Sequence, residues 1–177
     1  MEAVEIGRLA DDQFEFEGYD HIRYTARALA ENQEGRFGFL HIVGEDFFGE
    51  RDHLESCGGG MEEGESLFDT IKREVMEELG LEVQSCEYVG TIIDSYNLIK
   101  RITVSSFFHC LVDSSALQET HRTEEEQILI REIVWLTPEE AMDWLENRAE
   151  HKVDKLVQRR DAMALRYYLE QTGRLEK

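Results

Sequence analysis

Residues 59–81 read GGMEEGESLFDTIKREVMEELGL, and this stretch decides the fold of the 177-residue chain. From Glu65 to Leu79 there is no proline or glycine, and apolar residues recur at every fourth position. This spacing is typical of an amphipathic helix that buries one stripe in the core. Gly80 is suited to the left-handed backbone position just past a helix end. The pattern therefore predicts a helix over 65–79 that stops at Gly80.

Three acidic residues of this helix, Glu74, Glu77 and Glu78, stand at i, i+3 and i+4 and therefore share one surface. Like charges at that spacing repel unless a cation lies between them. Carboxylate oxygens are ligands that Mg²⁺ and Mn²⁺ prefer, and Mg²⁺ leaves coordination positions open to substrate phosphates. We therefore predict that Mg²⁺ or Mn²⁺ binds these three glutamates. A merely solvated acidic helix face is the alternative interpretation.

Consecutive glycines, Gly58, Gly59 and Gly60, precede the helix. Glycine allows positive φ and lets the backbone approach a ligand closely. We expect these residues to form a tight loop for the metal and the phosphates. An ordinary flexible turn is the alternative.

The spacing of the defined residues in this stretch matches the Nudix box at every position. Those residues are Gly59, Glu65, Arg73-Glu74-Val75, Glu77-Glu78 and Gly80-Leu81. The chain therefore resembles the Nudix hydrolases, which cleave nucleoside diphosphates linked to a further group. The resemblance covers about residues 20–148 and implies an α/β fold, an α/β/α sandwich with a mixed β-sheet.

The resemblance also implies a mechanism, in which metal-assisted water attacks phosphorus and a pyrophosphate linkage is cleaved. Arg73 would hold the glutamates in place through charge-assisted hydrogen bonds, and Glu77 and Glu78 would serve catalysis. The base that accepts the proton of water is a box glutamate in some members of the family and a glutamate of a later loop in others. Glu78 is the first candidate here. The alternative bases, which could equally form a solvated acidic turn, are Glu124, Glu125 and Glu126.

Length and charge set the surroundings of this site. We expect one domain over residues 1–177, because no linker or repeat divides the chain. The formal net charge of −20 argues against binding of long nucleic acid, whereas the resemblance implies a small nucleotide-derived diphosphate as substrate. No export signal or membrane span is predicted. The three cysteines are an odd number and are consistent with reduced thiols. We therefore expect a cytoplasmic protein.

The remaining elements follow from residue patterns. A hairpin is predicted from strands over 21–30 and 36–43, with a short strand at 54–56 and further strands within 82–95, 101–112 and 128–136. A helix should begin at Pro138, and a C-terminal helix should cover about 151–171. Its apolar stripe, interrupted by Arg160 and Asp161, indicates core packing, and the same helix could support a lid or a homodimer.

Substrate identity and two rival functions stay open. Arg23, Arg27 and Arg101 could reach phosphates from strands, but none is assigned a role. Tyr96 lies near the position where dinucleoside polyphosphate hydrolases carry a tyrosine, although a core tyrosine is the commoner explanation. Cys57, beside the glycines, keeps an isopentenyl diphosphate isomerase as an alternative. A non-catalytic module that senses a nucleotide is the other.

Overall fold

The computed structural model describes residues 2–175. The strands are β1 Glu5–Leu9, β2 His21–Glu31, β3 Phe37–Asp46, β4 Gly49–Glu55, β5 Cys57–Gly60, β6 Val83–Tyr96, β7 Arg101–Val112 and β8 Ile130–Leu136. The helices are α1 Leu67–Glu74, which continues as a π-helical turn over Val75–Leu79, α2 Glu124–Leu129, α3 Pro138–Asn147 and α4 Lys152–Gln171, and a short 3₁₀ turn covers Asn97–Ile99. None of the helices in the described part of the chain combines the length and apolarity of a membrane span.

The sheet is mixed, as predicted, and it splits at its centre. The strand order is β1-β6-β7-β2-β3-β4, with β5 paired to β2 and β8 paired to β3. β2 runs parallel to β7 over its whole length, but its antiparallel pairing with β3 is limited to the end next to the hairpin turn, at Ala30 and Glu31. Beyond those residues β5 takes the edge of β2, and β4 takes the edge of β3 that β2 leaves, while β8 pairs with the opposite edge of β3. The two halves therefore diverge and leave a cleft between them.

Apolar residues cover both faces of the sheet. On one face Ile71, Val75 and Leu79 of the box helix are fully buried against a cluster that includes Phe108. On the other face α3 and α4 pack on a second cluster that includes Phe107. The predicted α/β/α arrangement is therefore confirmed.

The box helix begins two residues later than predicted, because Ser66 caps it. The Ser66 hydroxyl accepts a hydrogen bond from the backbone N–H of Asp69, and the Asp69 carboxylate accepts one from the backbone N–H of Ser66. This reciprocal capping box satisfies backbone donors that a helix start leaves free. At the other end Gly80 has φ 67°, so the predicted glycine stop is confirmed. The last turn of the helix is wound as a π-helix, a feature frequent at functional sites.

Two segments predicted as loops are regular structure, and these predictions were wrong. Gly58–Gly60 belongs to β5, where the backbone of Gly58 lies against the carbonyl of Ala26 so closely that no side chain fits. Glu124, Glu125 and Glu126 form the first turn of α2, because Thr123 caps that helix through the backbone N–H of Glu126. The predicted strand over 128–136 accordingly starts only at Ile130. Strand β1, which pairs with β6, was not predicted because its five residues lack a clear apolar alternation.

A buried ion pair joins α4 to β4. The Asp154 carboxylate accepts hydrogen bonds from the His53 ring at 2.7 Å and from the backbone N–H groups of Asp52 and His151 at 3.0 Å. Burial alone would raise the pKa of Asp154, but these hydrogen bonds, that from His53 first, lower it to about 2. Burial likewise opposes a charge on His53, yet the hydrogen bond to Asp154 raises its pKa. The ionised pair therefore fixes the last helix to the sheet.

Replacement of Asp154 by asparagine tests this anchor. Because the pKa of Asp154 is lower in the folded state than in the unfolded chain, its stabilisation is complete above about pH 4 and is lost toward pH 2. We expect Asp154→Asn to lower the free energy of unfolding by about 2 kcal/mol at pH 6, and the difference from the parent to narrow below pH 4. Urea unfolding at several pH values measures this, with the exposed Glu34→Gln as control. An equal loss at every pH would contradict the ionic explanation.

Candidate active site

A cavity of about 330 Å³ lies where the two halves of the sheet diverge. Its walls come from β2, β3, β4, β5, the box helix and α2. Most of the charged side chains that face it lie on different segments of the sequence. The fold therefore places the box helix at one wall of a polar cleft.

Glu74 and Glu78 are the box carboxylates that line this cavity, and both are buried. Burial raises the pKa of Glu74, and burial together with the charge of Glu74 raises the pKa of Glu78 well above its usual range. The backbone N–H of Gly58 donates to the Glu78 carboxylate at 3.4 Å. Raised pKa values mean that the surroundings do not supply enough positive charge to keep both carboxylates ionised. A divalent cation between them would supply that charge.

The Arg73 guanidinium joins the residues around the box. It donates to both carboxylate oxygens of Glu65 at 2.6 and 3.0 Å, to Glu74 at 2.9 Å and to Glu77 at 3.2 Å. It also donates to the carbonyl of Gly60 at 3.1 Å, which ties the helix to β5. These hydrogen bonds lower the pKa of Glu65 to about 2, so that carboxylate is ionised at neutral pH. The contacts are those that a positioning arginine requires.

Glu77 lies apart from the other two box carboxylates. It does not line the cavity, and its half-exposed side chain pairs with Arg73. Among residues 2–175, no three acidic, histidine or cysteine side chains converge on one point as a ready-made metal site. The donor set nevertheless fits a hard cation, because Glu74 and Glu78 offer carboxylate oxygens that face the cavity and resist ionising together.

The predicted glycine segment meets these carboxylates directly. Gly58 and Gly59 line the cavity, whereas Gly60 does not. A Cβ at Gly59 would overlap the Glu74 carboxylate. The glycines therefore act through close approach of β5 to the box helix rather than through loop flexibility.

The later acidic residues are divided between the cavity and the surface. Glu125 and Glu126 line the cavity, whereas Glu124 does not. The segment before them packs on the end of the box helix, where the Arg122 guanidinium donates to the Glu78 carbonyl at 2.9 Å. The structure therefore brings Glu125 and Glu126 to the wall of the cleft that also carries Glu78.

Sequence patterns did not predict the charged residues that pair with one another at the base of the cavity. Arg27 pairs with Glu55 at 3.2 Å, and both line the cavity. Burial alone would raise the pKa of Glu55, but the charge of Arg27 and further contacts to His53 and Arg160 hold it well below its usual range. The signals in the sequence were Arg27, which could reach phosphates from a strand but was assigned no role, and the pair Arg160-Asp161 within the apolar stripe of α4.

Those two residues of α4 are buried beneath the cavity, so the prediction of plain core packing was incomplete. Arg160 is 2% exposed and donates to Asp161 at 2.8 Å and to the Tyr96 hydroxyl at 3.3 Å. The Asp161 carboxylate accepts a hydrogen bond from the backbone N–H of Ser56. The last helix therefore supports the strand that leads into the glycines.

Cys57 is fully buried beside the same glycines. Burial, and after it the charges of Glu78 and Glu74, raise the pKa of its thiol well above the usual range. The thiol is therefore protonated and closed to solvent.

Comparisons with known proteins agree with this architecture. The NUDIX domain family model matches residues 21–159. Similar solved structures include a Nudix hydrolase from Nitrosomonas europaea (19% identity, 86% of this chain and 90% of that chain, TM-score 0.59) and an ADP compounds hydrolase (17%, 86% and 76%, 0.61). A MutT protein from Methanosarcina mazei Go1 is also similar (19%, 83% and 96%, 0.56). A comparison with curated proteins found no match to this chain.

The mixed sheet and the buried carboxylates of the box helix agree with the family match, and that match defines a protein of the phosphoanhydride hydrolase class. The chain belongs to the Nudix family, as the match over residues 21–159 shows. The family match supports a pyrophosphohydrolase.

Replacement of Gly59 by alanine tests the close approach of β5. The new Cβ would displace the Glu74 carboxylate, so we expect Mn²⁺ affinity to fall by about ten- to hundredfold. Calorimetric titration with Mn²⁺ measures this. Gly7→Ala is the control, because Gly7 lies outside the cavity, has no positive φ, and a Cβ there would meet only the end of the flexible Met163 side chain. Unchanged affinity in Gly59→Ala would show that Glu74 is not a metal ligand.

Proposed function

We propose that the protein is a metal-dependent hydrolase that cleaves a pyrophosphate linkage in a small nucleotide-derived diphosphate. The observation that carries this proposal is the pair of buried carboxylates, Glu74 and Glu78, at the wall of the cavity. The pKa values of both are raised. A solvated acidic helix face would leave such carboxylates exposed. Their burial is explained if a cation and a phosphorylated substrate complete the site.

Glu74 and Glu78 are the proposed ligands of Mg²⁺ or Mn²⁺. Glu77 is a proposed third ligand, but its side chain would have to leave its ion pair with Arg73 to reach the cation. When bound, the cation would polarise the phosphates and lower the pKa of water. The cation requirement also follows from charge at the box, because the carboxylates of Glu74 and Glu78 repel the phosphates of a scissile linkage unless positive charge is supplied beside them.

Other residues of the site have proposed roles in positioning and in proton transfer. Arg73 is the proposed positioning residue, since it holds Glu74 and the carbonyl of Gly60 at the same time. Glu78 is the proposed base, because its carboxylate lines the cavity and burial raises its pKa, which makes it more basic than an exposed glutamate. Glu125 and Glu126 are the alternative bases supported by their place on the cavity wall, whereas Glu124 lacks that support. Water adds to one phosphorus, and the bridging oxygen departs with the other phosphate.

The setting of this activity is also a proposal. The acidic surface disfavours long nucleic acid, so the partner is a small molecule in the cytoplasm. The outer face of α4 is available for a homodimer. One domain over residues 1–177 would carry the activity. The buried, protonated Cys57 gives no support to an isomerase that uses a cysteine for proton transfer.

The role of the box glutamates is testable by charge removal. We expect Glu74→Gln and Glu78→Gln each to lower Mg²⁺-dependent turnover by at least about a hundredfold, because charge stabilisation of the transition state is lost. In EDTA both variants should melt at or above the parent temperature, because repulsion between buried carboxylates is relieved. Glu124→Gln, outside the cavity, is the control. Parent-like turnover in both variants would overturn the assignment.

The bond that breaks is testable with a substrate panel. Nucleoside diphosphate sugars, dinucleoside polyphosphates, ADP-ribose, NADH, coenzyme A and nucleoside triphosphates are incubated with Mg²⁺ in ¹⁸O-labelled water. We expect pyrophosphate cleavage of at least one compound, with label in one phosphate product and no action on phosphomonoesters. Tight nucleotide binding without turnover would favour a sensor. Isomerisation of isopentenyl diphosphate without label uptake would favour an isomerase.

A further inference from the structure

Two arginines, Arg23 of β2 and Arg101 of β7, lie side by side next to the cavity. The strands are parallel, and their register pairs Arg23 with Thr103. The Arg101 guanidinium leans along β7, where it donates to the Thr103 hydroxyl at 3.1 Å and lies 5.2 Å from the centre of the Tyr96 ring. Arg23 itself lines the cavity. Arg101 therefore lies beside Arg23, at the end of the cavity that Arg23 lines.

These two arginines lack the acidic partners that most arginines of the chain have. Arg27, Arg51 and Arg160, which lie at or beneath the cavity, are each paired with a carboxylate. Within residues 2–175, neither Arg23 nor Arg101 forms an ion pair. Arg23 is exposed at the mouth of the cavity and Arg101 is half-buried. In a protein with 39 acidic and 19 basic residues, two neighbouring arginines without an ion pair are unexpected.

The two cations also disfavour each other. Burial, and next the charge of Arg27, lower the pKa of Arg23, although Glu74 and Glu55 act in the opposite sense from beyond ion-pair distance. Burial, and next the charge of Arg23, lower the pKa of Arg101, although Tyr96 and Asp94 act in the opposite sense from beyond ion-pair distance. An anion bound between the guanidinium groups would relieve this repulsion. The planar donor fork of arginine matches phosphate oxygens in particular.

Strand β5 connects this cationic end to the box carboxylates. The Glu78 carboxylate lies at Gly58 and the Glu74 carboxylate at Gly59, whereas the Arg23 guanidinium would lie 3.0 Å from a Cβ at Gly60. A row of phosphates along β5 would therefore meet a cation held by glutamates at one end and arginines at the other.

We propose that Arg23 and Arg101 form a subsite for a phosphate that follows the two phosphates of the scissile linkage. The substrate is accordingly a polyphosphate with three or more phosphates, such as a nucleoside triphosphate or a dinucleoside polyphosphate, rather than a nucleoside diphosphate sugar. This inference rests on the proposed function for the place of the scissile linkage. The subsite itself rests on the two arginines alone.

Inorganic triphosphate tests the subsite without catalysis. Calorimetry in EDTA removes any contribution of a metal, and we expect the parent protein to bind triphosphate. Arg23→Gln and Arg101→Gln should each weaken binding by about tenfold or more, because charge-assisted hydrogen bonds are lost. Arg23→Lys should restore part of the affinity. Arg131→Gln is the matched control, because it removes the same charge from an exposed arginine outside the cavity.

Binding that is absent in the parent, or weakened equally in Arg131→Gln, would overturn the subsite. With Mg²⁺ present, Arg23→Gln and Arg101→Gln should lower kcat/KM for a nucleoside triphosphate, chiefly through KM, and much less for a nucleoside diphosphate sugar. Equal losses on both substrates would overturn the assignment to a third phosphate. Triphosphate binding without hydrolysis of any panel compound would reject the proposed function while the subsite stands.

Discussion

The hydrogen bonds of Arg73 are the interaction on which the geometry of the site depends. One planar guanidinium group binds the carboxylates of Glu65 and Glu74 and the carbonyl of Gly60. It therefore links the entry of the box helix, the face of that helix and β5. Lysine offers a point charge on a flexible stem and could not bind all three in a fixed geometry. Because the apolar side of the helix is fixed in the core, this one group sets the separation of the carboxylates from the glycines.

A second constraint is the burial of charge beneath the cavity. Arg27, Glu55, Arg160 and Asp161 lie close together with little exposure, and their charges alternate in sign. Buried ions are tolerated only where each has a partner, since removal from water is costly. Within this set the requirement is met by residues of β2, β4 and α4. Glu78 is the exception, because it is buried at the cavity and forms no ion pair within residues 2–175.

Local patterns predicted the elements well where a local interaction forms them. The hairpin of β2 and β3, the strand over Arg101–Val112 and the helix that starts at Pro138 were all found where the residues indicated. Errors occurred where a capping side chain or a neighbouring strand determines the start or the type of an element. Ser66 caps the box helix, so the helix starts at Leu67 and not at the predicted Glu65. Gly58–Gly60 is a strand only because the edge of β2 is free to pair with it.

The sequence by itself determined the family, the box helix and the side chains of that helix that carry charge, because these depend on spacing along one helix. Only the tertiary structure decided which carboxylates are buried, since Glu78 faces the cavity whereas Glu77, one residue away, turns to Arg73. It also decided that Arg160 of the last helix lies beneath the cavity and contacts Glu55, which is 105 residues earlier in the chain. Contacts between residues so distant in the chain depend on how strands and helices pack, and no spacing in the sequence records that packing.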